Sequence, residues 1–173
     1  GVKEEEHEGR RKDEKAQEMI EHGNYGAIQA LIDAIKDEVE NVRCVAALAL
    51  RLIAQGSDEA IRALLSEIKD EVRYVRRRAA QALGLIAQGS DEAIRALLTA
   101  IKDEDENVRR VATQALGLIA QGSDEAIRAL FTAIKDKDEN VRWMATQALG
   151  LMAQRSDEAI RALSDALEDN ADD

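Results

Sequence analysis

The sequence predicts an all-α fold, a right-handed α-solenoid of helical hairpins, on three observations. GSDEAIRAL begins at Gly56, Gly89 and Gly122, RSDEAIRAL at Arg155 and the looser GNYGAIQAL at Gly23, always 33 residues apart. Each unit contains two stretches with apolar residues at helical spacing. Apolar residues make up 45% of the chain but aromatics only 2%, and proline is absent. The core is therefore drawn from Ala, Leu, Ile and Val, and nothing breaks a helix as proline would, at about 3 kcal/mol. A period of this length marks an array whose units lean on their neighbours.

The elements follow in order. Residues 1–22 are charged but place Ala16, Met19 and Ile20 at the phases of Ala49, Leu52 and Ile53, which predicts an N-terminal capping helix. Four repeats occupy 23–154, as 23–55, 56–88, 89–121 and 122–154, and 155–173 form a half-repeat cap with an acidic tail. In the third repeat the first helix, A, is SDEAIRALLTAIKD. Ser90 is its N-cap, Asp91 and Glu92 sit where the helix dipole favours acids, and Ile94, Leu97, Leu98 and Ile101 form its apolar face. The second helix, B, is NVRRVATQALGLIAQ, with the stripe Val108, Ala112, Ala115, Leu116 and Ile119. Gly122 stops B and turns the chain into the next A. Short links such as DEDE make A and B antiparallel. One hairpin cannot bury its own apolar face, so stacking is required. In the last half-repeat Ser164 stands where Leu65, Leu98 and Phe131 stand, while Leu163 keeps the place of Leu97. Position 98 is therefore expected to face the following repeat and position 97 the interior.

At DEDENVRRVATQALGLIA the chain resembles HEAT-like repeats, especially the short phycobilin-lyase type and engineered scaffolds built from it. The acidic turn, then Val-Arg, Ala, Ala-Leu-Gly and Ile, recurs from Val42, Val75, Val108 and Val141. The resemblance spans roughly residues 23–168. It implies a structural ladder of Arg43, Arg76, Arg109 and Arg142 with Asp37, Asp70, Asp103 and Asp136. The chain departs from that pattern in lacking proline at the turn and in carrying Arg51 where later repeats have Gly84, Gly117 and Gly150. Near-identity between units fits either recent duplication or deliberate engineering. Such a fold assigns no chemistry by itself.

The formal net charge of −11 argues against nucleic acid and anionic membranes as partners. No apolar run approaches a bilayer span, and the N-terminus lacks the apolar stretch of a signal peptide. One cysteine, Cys44, excludes an internal disulfide and a cysteine-based zinc site. The expectation is a cytoplasmic protein, monomeric or weakly self-associating, without metal or cofactor. His7 and His22 are spaced as surface residues, and the single glycines 84, 117 and 150 sit within helices and make no phosphate loop. Carboxylate pairs such as Asp103 and Asp105 recur in every repeat, which suits capping and not catalysis. No catalytic constellation is assembled.

The copies disagree at one place. A helical wheel sets positions 110, 113, 114 and 117 of helix B opposite its core stripe, on the side that lines the concave face in HEAT-like stacks. Along the array this face reads Cys44, Ala47, Leu48, Arg51; Arg77, Ala80, Gln81, Gly84; Arg110, Thr113, Gln114, Gly117; Trp143, Thr146, Gln147, Gly150. Its flank reads Val45, Arg78, Val111, Met144, and the preceding turn Asn41, Tyr74, Asn107, Asn140. A constant frame with variable exposed residues suits recognition, and Arg, Tyr and Trp are enriched among binding hot spots. The expected partner surface is therefore Cys44, Leu48, Arg51, Tyr74, Arg77, Arg78, Gln81, Arg110, Gln114, Trp143, Met144 and Gln147. Trp143 is either an anchor there or, with Met144, a seal over the last B helix. Arg73, Arg77 and Arg78 are either a dock for an acidic peptide or a solvated patch pairing with neighbouring acids. Cys44 is either a thiol activated by nearby arginines or a small filler. The leading reading is a non-catalytic scaffold for a protein or peptide. Two alternatives stand beside it: a bilin-lyase-like, chromophore-handling protein, and a structural or designed repeat protein with no natural ligand.

Overall fold

The structure is a computed structural model and describes residues 24–153. The expected capping helix over 1–22, both histidines and the half-repeat from 155 lie outside the described residues. Within them, helix α1 covers 24–34, followed by α2 (Glu40–Ile53), α3 (Asp58–Glu67), α4 (Arg73–Ile86), α5 (Asp91–Ala100), α6 (Glu106–Ile119), α7 (Asp124–Ala133) and α8 (Glu139–Ala153). The odd helices are the A pattern and the even helices the B pattern, and consecutive A and B helices form hairpins. The hairpins stack into an α-solenoid. Its inner framework is the B row, where α2 packs on α4, α4 on α6 and α6 on α8, while the A helices touch one another lightly.

Local chemistry sets each boundary. The hydroxyls of Ser57, Ser90 and Ser123 accept from Ala60, Ala93 and Ala126 N–H at 3.2–3.3 Å, starting α3, α5 and α7. Asp105 caps α6 through Asn107 and Val108 N–H, and Asp138 does the same for Asn140 and Val141. At Val39 and Val72, α2 and α4 have no side-chain cap. Gly56, Gly89 and Gly122 take φ of +70°, +72° and +77°, the left-handed turn that closes α2, α4 and α6 and that a side chain would strain.

The predicted stripe Val108, Ala112, Ala115, Leu116 and Ile119 is buried. Leu97 is buried too, while Leu98 is half-buried and borders a groove walled by Glu125, Arg128 and Ala129 of α7, as its expected outlook on the following repeat requires.

Two devices join one hairpin to the next. Neighbouring B helices meet through very small residues: a Cβ built on Gly84 would lie 2.6 Å from Ala115 Cβ, and one on Gly117 would lie 2.6 Å from Ala148 Cβ. The second device is the arginine ladder, with a register of its own. Arg76 Nε and Nη2 bond Asp103 at 2.8 and 3.0 Å, and Arg109 bonds Asp136 at 2.9 and 3.0 Å. Arg43 reaches Asp70 at 3.0 and 3.3 Å. Each of these carboxylates belongs to the hairpin after its arginine. The same guanidinium also donates through Nη1 to two carbonyls of its own turn, Asp103 and Glu104 in the case of Arg109. Burial raises the Asp136 carboxyl, but the bonds from Arg109 and the Asp138 N–H more than offset this and leave it below its ordinary value. The stability Asp136 contributes is therefore complete above that ordinary value and is lost as pH falls through the folded one.

Glu67 is the opposite case. It is buried where the next two repeats have Ala100 and Ala133, and its Oε2 accepts no hydrogen bond, with Arg43 Nε 3.9 Å away. Burial pushes its carboxyl up, ahead of a lowering bond from Ser66. A carboxylate with a raised folded value costs stability at neutral pH, and that cost disappears below the ordinary value.

Two outcomes follow from this packing. In thermal melts Gly117→Ala should destabilise by about 1–3 kcal/mol through overpacking against α8. Gly150→Ala, whose new Cβ meets nothing within 4 Å, should instead gain up to about 1 kcal/mol of helix propensity. Glu67→Ala should raise the melting temperature at pH 7 by about 2–4 °C, the shift expected for a 1 kcal/mol gain in a chain of this size. The gain should shrink toward pH 4 as Glu67 protonates in the parent.

Candidate binding surface

A B helix inside the stack is covered on three sides, by its own A helix and by the B helices before and after it. Only one strip is left. On α6 that strip holds Arg110, Gln114 and Leu118, spaced by four residues. The wheel allowed for a single covered side, and several assignments change as a result. Ala47, Ala80 and Thr113 are buried, as are Gly84 and Gly117, because they face the following B helix. Met144, expected at the surface, is only 7% exposed. It stands at the place of Val111, which is also buried and borders Gln81, Gly84 and Leu85 of the preceding B helix. Methionine there fills an interface between hairpins, so Met144 leaves the candidate surface.

The other candidates are accessible to different degrees. Gln114 and Gln147 are exposed, Tyr74 is exposed, and Trp143 is 59% exposed. Cys44, Leu48, Arg51, Arg77, Arg78, Gln81 and Arg110 are half-buried. Cys44 is not activated: burial pushes its thiol up, and the opposing charges of Arg78, Arg43 and Arg77 do not reverse the shift.

Tyr74 lies between two guanidinium groups, with Arg73 and Arg77 Cζ 5.1 and 5.4 Å from its ring centre. Arg73 also pairs with Asp105 at 3.5 Å, the neighbouring acid of the plainer expectation. Arg78 Nη1 donates to Gln81 Oε1 at 3.0 Å. Among the described residues, Arg51, Arg77, Arg78 and Arg110 have no ion-pair partner, and Arg51 Nε is buried without a hydrogen bond. Arg51 lines a groove of about 240 Å³ with Gln81, Leu85, Val111, Gln114 and Leu118.

Sequence reasoning missed a leucine row. Leu52, Leu85 and Leu151 are exposed and Leu118 partly buried, one per repeat, four residues after Leu48, Gln81, Gln147 and Gln114 respectively. The 33-residue spacing and the continuing helical phase were the available signal. Also missed were Gln55 and Gln88, whose amides donate to Leu85 and Leu118 carbonyls of the next hairpin at 3.4 and 3.3 Å.

The charge is segregated and not uniform. After the first turn the B helices carry no carboxylate, while they hold Arg43, Arg51, Arg73, Arg76, Arg77, Arg78, Arg109, Arg110 and Arg142. The acids lie in the turns and on the A helices. Among the described residues no three His, Cys, Asp or Glu side chains converge as metal ligands, and no helix is long and apolar enough to cross a membrane.

This geometry matches the family described as HEAT repeats, whose profile fits residues 14–84, 61–122 and 94–173. The chain belongs to the HEAT-repeat family. A search of curated proteins found no match. Solved structures resemble it. One engineered protein is 31% identical, with 80% of this chain and 67% of that chain covered and a TM-score of 0.58. A second engineered protein is 29% identical over 80% and 69%, with a TM-score of 0.59. A designed armadillo repeat protein in complex with the peptide (KR)4 is 25% identical over 80% and 68%, with a TM-score of 0.61. The stacked HEAT hairpins thus leave at least partly accessible the side of each B helix that carries Cys44, Arg77, Arg110 and Trp143.

Proposed function

We propose that this HEAT-repeat chain is a non-catalytic scaffold that holds an extended protein or peptide segment bearing carboxylates along the uncovered strip of its B helices, the concave side of the array. The observation that carries the reading is the composition of the strip and its borders: arginines at 77 and 110 on the strip and at 51 and 78 beside it, without carboxylate partners among the described residues, and no acid on any B helix past its first turn. Guanidinium forks bind carboxylates bidentately. Tyr74, Trp143 and the leucine row offer apolar contact, and the amides of Gln81, Gln114 and Gln147 recur once per repeat, suited to a peptide backbone. The designed armadillo protein supports a peptide as the kind of ligand. Its (KR)4 peptide is basic, and the arginines here favour the opposite charge.

The test uses Trp143, the chain's one tryptophan, as a fluorescent reporter. A Glu-rich octapeptide should change its emission saturably, and added salt should weaken the effect. Replacing Arg77 and Arg110 together by Ala should weaken binding at least about tenfold, the size expected of arginine hot spots. The peptide (KR)4 should not bind. Equal affinity for (KR)4, for a single-stranded DNA of the same charge, or for the double variant would refute the reading.

A further inference from the structure

The first hairpin departs from the other three on one side. On α2, Val42, Val45 and Ile53 are 38%, 63% and 41% exposed. Their counterparts one and more repeats later, Val75, Val108 and Val141 for Val42, and Ile86, Ile119 and Met152 for Ile53, are all buried, and each of their helices packs on a preceding B helix. Asp37 also differs from its counterparts. Asp70, Asp103 and Asp136 each hold the arginine 27 residues before them, whereas the Asp37 carboxylate accepts from Val39 N–H at 2.8 Å and from no arginine among the described residues.

We propose that this face is filled by the chain's own N-terminal segment, residues 7–20, packed on α2 as the first helix of the B row, with Arg10 bonding Asp37. The arithmetic of the ladder points to it. Twenty-seven residues before Asp37 stands Arg10, and 33 residues before Ala49 and Ile53 stand Ala16 and Ile20. The length also fits. A partner for the 14-residue α2 ends at Ile20, and residues 21–23 then reach α1 much as residues 54–57 connect α2 to α3. The ladder step holds at the other end, where 27 residues after Arg142 the sequence has Asp169. Both termini carry the residue that a continued ladder requires. The segment would thus close an apolar edge that a second copy could otherwise occupy.

The experiment is a mutant cycle in the full chain with Arg10→Ala, Asp37→Asn and the pair. Asparagine keeps the acceptor for Val39 N–H. Each single change should lower the melting temperature by about 2–4 °C, and the pair should lower it no further. Arg11→Ala, one step round the helix, should leave it unchanged. Hydrogen exchange across residues 42–53 should accelerate at least about tenfold in both single variants, as local opening becomes easier. Additive losses, no loss in Arg10→Ala, or an equal loss in Arg11→Ala would overturn the proposal. So would a concentration-dependent dimer of the parent chain in sedimentation, because the α2 face would then belong to a second copy.

Discussion

Each internal ladder arginine bonds in two directions at once. Arg109 holds the carbonyls of its own turn through one nitrogen and the carboxylate of the next turn through two others. A guanidinium this buried is costly unless every donor is engaged, and a buried ion pair adds little net stability over an apolar pair of the same shape. What it enforces is register, because only one offset between hairpins satisfies all the bonds. The Gly–Ala contacts set the distance between α4 and α6 and between α6 and α8, and the ladder sets the slide. Together they leave the hairpins one way to stack.

A frame of this kind separates two sets of positions. Apart from the ladder arginines and the glutamines, residues packed between neighbouring B helices are mostly small or apolar, as Val111 and Met144 are, although Arg78 stands at their place in α4. Residues on the uncovered strip change from Cys44 to Arg77 to Arg110 to Trp143 without disturbing the stack. The charge pattern follows the same division. Acids are concentrated in the turns, where they cap helices and receive the ladder arginines, and at the starts of A helices, where the dipole favours them. Past their first turn the B helices carry cations alone. A chain that is acidic in total therefore carries a row of arginines along its B helices.

The sequence revealed most of the fold, because repetition multiplies weak local signals. The serine caps, the left-handed glycines and the stripe of helix B each recur, and each is present in the structure. The binding strip was legible only in part. A helical wheel ranks positions by distance from one apolar stripe, but Thr113, Gly117 and Ala80 are polar or small and still buried. Their smallness signalled close helix approach, and the wheel placed that approach on the wrong side. The leucine row was missed for another reason: the wheel runs only from position 110 to position 117, and Leu118 lies one residue beyond it in the phase of the exposed strip. The ladder was anticipated by resemblance, but its step into the following hairpin depends on the inter-hairpin offset, which only coordinates supply.

The central claim is that hairpins are locked in register by an arginine that bonds forward. The most direct measurement is the coupling energy between Arg109 and Asp136 from a double-mutant cycle in urea unfolding, beside the same cycle for Arg109 and Asp103. The account predicts coupling of about 1–3 kcal/mol with Asp136, as for residues in one hydrogen-bond network. It predicts none with the Asp103 side chain, since Arg109 meets that residue only at its backbone carbonyl. Coupling to Asp103 in place of Asp136, or none to either, would contradict it.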